Sequence, residues 1–95
     1  MTIKKGNFIL FQVRNGWIVY NTCKKFEEGH THIRNKTSAL AAVDFVSKEK
    51  IPRKYSNYYL ISLKRLSNNP KYIAKVDSLL NIRQIKGKKE RYYNR

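Results

Sequence analysis

His30 and His32 stand one residue apart in EEGHTHIRNKTSA (27–39), just after Gly29 and just before a helix-start signal. Imidazole titrates closest to neutral pH, so such a pair could ligate a metal or serve as general acid and base. A structural zinc site needs four ligands. Cys23, His30 and His32 supply three, and only Glu27 and Glu28 stand near enough to offer a fourth. The paired cysteines that mark such sites in small proteins are missing, so no metal is expected. Magnesium-dependent nucleases need clustered carboxylates. Here Asp44, Glu49, Asp77 and Glu90 are scattered, and Glu27 and Glu28 would face opposite ways in an extended chain. No glycine-rich phosphate loop occurs, and no cofactor is expected. The bland reading of the histidines is a strand whose solvent side carries His30, His32 and Arg34.

The stronger chemical signal is charge. The 95 residues hold 21 Lys or Arg against 6 Asp or Glu, a formal net charge of +15. Lysine enrichment from base composition alone should bring glutamate with it, and the acids are scarce. From Ile51 onward, twelve bases face only Asp77 and Glu90, so this half carries about +10. Lys71 and Lys75 are one helical turn apart. Tyrosines are interleaved with the bases in RKYSNYY, PKYIAK and ERYY. An exposed tyrosine beside a cation can stack on an unpaired base, while the alternative for Tyr58, Tyr59 and Tyr72 is packing between helices. The expected phosphate-contacting surface is Arg53, Lys54, Lys64, Arg65, Lys71, Tyr72, Lys75, Arg83, Lys86, Lys88 and Lys89. Arg14, Trp17, His30, His32 and Arg34 form a possible second patch.

NGW (15–17) and GHTHI (29–33) resemble the NGW…GSHH pattern of HicA-type toxins, small ribonucleases with a double-stranded-RNA-binding-like fold. The resemblance implies a catalytic role for His30 or His32 in metal-independent RNA cleavage. It covers less than a quarter of the chain. That family opens with a helix where this chain has a strand, its two motifs lie closer together, and two further helices follow here.

These groups must be positioned by one small domain, since 95 residues leave no room for a second core. FILFQVRNGWIVYNTC (8–23) reads as a hairpin, with Asn15-Gly16 suited to a type I′ turn. That loop would set Val13 opposite Ile18 and Phe11 opposite Tyr20. Ile9, Phe11, Val13, Ile18, Tyr20 and Thr22 then share one face, the expected core face. Phe8, Leu10, Gln12, Arg14, Trp17, Val19, Asn21 and Cys23 share the other, which is mixed. HTHIR (30–34) extends a third strand. Three helices follow: one capped by Asn35 or Thr37 and running to about Glu49, one capped by Ser56, and one opened by Asn69-Pro70 and ending near Gln84. The last two could form a helix-turn-helix or a plain helical hairpin. The expected fold is α+β, an N-terminal antiparallel hairpin or three-stranded meander followed by three helices. Residues 1–86 form the domain, and 87–95 form a basic, flexible tail.

A lone cysteine fits a reducing cytosol, and no apolar run approaches the roughly 20 residues that cross a bilayer. The expectation is therefore a cytoplasmic, non-enzymatic nucleic-acid-binding protein with no membrane partner. Its composition resembles small phage and mobile-element proteins of low-GC Gram-positive bacteria. The alternative is an inhibitor or modulator that docks on an acidic surface of a host nucleic-acid-handling enzyme, with Trp17 as its anchor.

Overall fold

A computed structural model describes the backbone of residues 1–93 and the side chains of residues 1–82. The chain opens with β1 (Thr2–Lys5), β2 (Phe8–Val13) and β3 (Gly16–Asn21), then a one-turn helix α1 (Phe26–Gly29). It continues through β4 (His30–Ile33), α2 (Lys36–Ser47), α3 (Asn57–Leu66) and α4 (Pro70–Tyr93). The strands form an antiparallel meander in the order β1-β2-β3-β4. The α+β class is the one the sequence implies. Two elements are additional: β1, too polar and short to stand out, and α1, which occupies the charged connection before His30.

The β2–β3 register differs from expectation by two residues. Val13 pairs with Gly16, Phe11 with Ile18 and Ile9 with Tyr20. Arg14 and Asn15 make the loop, and neither takes positive φ, so the turn is not type I′. Gly16 instead opens β3 at φ +146°, and a Cβ there would stand 2.8 Å from the Ile33 carbonyl oxygen. Both the torsion and the close approach of β4 require glycine. A two-residue shift leaves every side chain on its own face.

Which face is buried is the larger correction. Phe8, Leu10, Trp17, Val19 and Ile33 lie in the core, with Ile3 packed against them. Ile9, Phe11, Val13, Ile18 and Tyr20, the expected core face, are only half-buried and form the open side of the sheet. Alternation decides which residues share a face. It cannot decide which of two apolar faces the helices cover, because that depends on the side to which the chain turns after β4.

The three long helices start at caps the sequence offers. The Asn35 side chain accepts from the Ser38 N–H (2.8 Å) and Ser56 from the Tyr59 N–H (3.1 Å). Asn69 accepts from the Lys71 N–H (3.0 Å) with Pro70 at the first helical position. Ala39, Ala42, Val43 and Val46 of α2, with Leu60, Leu63 and Leu66 of α3, close over the sheet. α4 packs on α3 through Tyr72, Val76 and Leu80. It continues past Gln84 and through Gly87, since one glycine costs a helix only about 1 kcal/mol and its Lys, Glu and Arg neighbours favour it.

Polar ties lock α3 to the sheet. Asn21 donates to the Leu66 carbonyl (2.9 Å), and the Thr31 hydroxyl donates to Ser62 Oγ (2.7 Å). Lys24 Nζ donates to the Arg65 and Ser67 carbonyls, 3.0 Å each, at the negative end of α3.

Candidate nucleic-acid interface

The open face is built from two cross-strand rows. Pairing places Lys4, Ile9, Tyr20 and His30 in one, and Thr2, Phe11, Ile18 and His32 in the next. With strands about 4.8 Å apart, each row spans about 14 Å. No Asp or Glu belongs to either row, while Lys4, His30 and His32 do. At one edge α1 lays Phe26 beside the sheet. Its ring centroid is 5.2 Å from that of Tyr20, nearly edge-on, and 4.2 Å from that of His30, parallel to within 1°. His30 donates from Nδ1 to the Phe26 carbonyl, which puts its ring proton on Nδ1 and turns Nε2 away from that bond. The Tyr20 hydroxyl donates to the Lys24 carbonyl. A short helix, a turn and two strands thus hold three aromatic rings in one fixed group with Phe26 44% exposed.

At the other end of β4, a hollow of about 450 Å³ lies between Asn15 of the β2–β3 turn, His32, Arg34 and Tyr58 in the first turn of α3. His32 belongs to both the hollow and the open face. A second groove, about 390 Å³, runs between α2 and the 52–56 loop and is lined mainly by apolar groups such as Phe45, Pro52 and Tyr59.

The expected site residues divide sharply. Tyr72 is 3% exposed and its hydroxyl donates to the Lys50 carbonyl (2.8 Å), so it packs the core and offers nothing to a ligand. Trp17 is likewise buried, with Lys36 Nζ 5.9 Å from its ring centroid, and cannot anchor a partner. Arg65 is held by the carbonyls of His30 (2.9 Å) and Glu27 (2.6 Å). Lys64 pairs with Asp77 at 2.7 Å. Lys71 and Lys75 are exposed one turn apart on α4, and Arg53 and Lys54 are exposed between α2 and α3. With Tyr72 buried, the N-terminal end of α4 presents Lys71 and Lys75 with no aromatic ring exposed beside them. The side chains of Arg83, Lys86, Lys88 and Lys89 lie outside the described residues. Arg14 and Arg34 are exposed at the end of the sheet that carries the β2–β3 turn. Sequence reasoning missed Lys4, Phe11, Tyr20, Phe26 and Tyr58. Alternation had grouped Phe11 and Tyr20 correctly but assigned their face to the interior.

Among the described residues, no group of three His, Cys, Asp or Glu comes together as a metal site. Burial raises the phenol pKa of Tyr59, and burial reinforced by Tyr59 pushes that of Tyr72 up to about 12. Both belong to the core rather than the interface. Among the described residues, no helix is long and apolar enough to cross a membrane.

No protein family, curated protein or solved structure matches the chain. The resemblance of NGW and GHTHI to the HicA-type pattern therefore gains no support beyond those residues, and functional inference rests on the site itself.

Proposed function

We propose that this protein binds nucleic acid, with the open face of its sheet as the platform for unpaired bases and the surrounding cations as phosphate contacts. The observation that carries this reading is the open face itself. It combines Phe11, the fixed Tyr20–Phe26–His30 group and His32 with Lys4, and has no carboxylate in its rows. Aromatic rings stack on bases of any sequence, each contributing about 1–3 kcal/mol, and cations along a strand release its counterions. Lys71, Lys75, Arg53 and Lys54 extend the phosphate-attracting surface onto the helical side. The proposal includes a cytoplasmic location, where such strands are accessible, and the phage or mobile-element origin that the composition suggests.

The test is fluorescence anisotropy with labelled single strands and duplexes of RNA and DNA at two salt concentrations. Single strands should bind more tightly than duplexes, with an affinity falling by a log–log slope of about −0.7 per phosphate neutralised. Phe11→Ala combined with Phe26→Ala should weaken binding at least tenfold. No binding in dilute buffer, or variants that bind as the parent does, would sink the proposal.

A second reading has its own support in Ile9, Val13 and Ile18, aliphatic side chains left half-exposed on the same face. They suit an apolar, acid-rimmed protein surface, such as that of a host enzyme handling nucleic acid. Trp17 has no part in that version. Stoichiometric association with one protein, unaffected by nuclease, would favour it.

A further inference from the structure

We infer that the hollow between Asn15, His32, Arg34 and Tyr58 is a subsite for one phosphodiester phosphate of the bound strand; the inference rests on the nucleic-acid reading above and deepens it. Three elements meet there: the β2–β3 turn, β4 with the residue that follows it, and the first turn of α3. Their side chains are an amide, an imidazole, a guanidinium and a phenol, all able to donate, and no carboxylate lines the space. The donors are also uncommitted. Among the described residues, the Arg34 guanidinium, the Asn15 amide and the His32 ring make no hydrogen bond or ion pair. The Tyr58 hydroxyl reaches only the His32 carbonyl, at 3.4 Å, well beyond the usual 2.5–3.0 Å of an O–H···O bond. By contrast Arg65, Lys64 and Lys24, which are half-buried, are all occupied by carbonyls or a carboxylate, whereas Arg34 is exposed.

The ligand chemistry follows. A guanidinium fork matches two oxygens of a phosphate, and an amide, a phenol and an imidazole N–H can take the remaining lone pairs. The position makes the phosphate part of a polymer. Because His32 also ends the Thr2–Phe11–Ile18–His32 row, a phosphate seated on Arg34 places the adjoining nucleoside over Ile18 and Phe11. The open face would then read bases in a register set by this anchor.

The test is an NMR titration of the isotope-labelled full chain with inorganic phosphate, with sodium chloride of equal ionic strength as the control, alongside anisotropy with a single-stranded oligonucleotide. Phosphate should cause saturable shifts centred on Asn15, His32, Arg34 and Tyr58 that chloride does not reproduce. Arg34→Gln should abolish them, lower oligonucleotide affinity roughly tenfold and reduce the salt slope by about 0.7. Arg34→Lys, which keeps charge but loses the fork, should restore only part of the affinity, and Tyr58→Phe should cost a smaller factor with the fold undisturbed. Shifts shared with chloride, or an Arg34→Gln variant that binds the oligonucleotide as the parent does, would overturn the subsite and leave the stacking platform standing. Failure of the parent to bind any oligonucleotide would sink the platform. A saturable phosphate response would then identify the hollow as an oxyanion site of another kind, contradicting the inference as stated.

Discussion

Tyr72 is flanked by exposed Lys71 in the sequence yet points to the opposite side of α4. It lies four residues before Val76 and eight before Leu80, the two other buried positions among the described side chains of the helix. That helical spacing stands in the sequence beside the bases that suggest a binding role. Its phenol is covered, donates to the Lys50 carbonyl and ionises only toward about pH 12, chiefly because burial disfavours the anion. Since the folded pKa lies above the ordinary value of 10, stability from this group is complete below about pH 10 and is lost as pH rises from there through about 12. An absorbance titration of tyrosine should show a late component near pH 12 that Tyr72→Phe removes. The same substitution should cost about 1 kcal/mol at neutral pH through the lost hydrogen bond. Persistence of the late component in the variant would contradict the assignment.

At the scale of elements, caps were the most legible feature. Asn35, Ser56 and Asn69 start α2, α3 and α4 because a side-chain oxygen at these positions satisfies an orphan N–H regardless of what the helix packs on. The docking of α3 was not legible. It depends on groups 31 to 45 residues apart, among them Thr31 with Ser62 and Asn21 with Leu66. Thr31→Val should destabilise the fold by about 1–3 kcal/mol, since it leaves the buried Ser62 hydroxyl without its partner. Adding Ser62→Ala should recover part of that loss. Urea unfolding of the two singles and the double measures the coupling, and strict additivity would show that the hydroxyl pair is not energetically linked.

For the molecule as a whole, 21 bases against 6 acids make self-repulsion a standing cost of compactness. The Lys64–Asp77 pair offsets little of it, with partners 41% and 43% exposed. The Tm should therefore rise between about 10 mM and about 0.15 M salt, as the Debye length shrinks from about 30 Å to about 8 Å. A flat or falling Tm in a calorimetric series would show that the charges are already dispersed or paired. The same screening should weaken nucleic-acid binding, so the two observables move in opposite directions.

The sequence by itself determined the α+β class, the starts of the three long helices, the partition of the β2 and β3 strands into two faces and the excess of cations. All follow from local rules: the period of two in a strand, the orphan groups at a helix end, and a simple count of charges. Only the tertiary structure decided that Trp17 and Tyr72 are interior, that Arg65 is spent on carbonyls, and that Phe11 and Tyr20 face outward beside the histidines. Both faces of the hairpin are apolar enough to bury. The choice between them was made by the helices α2 and α3 closing over one side, a long-range event that leaves no mark in any short stretch of residues.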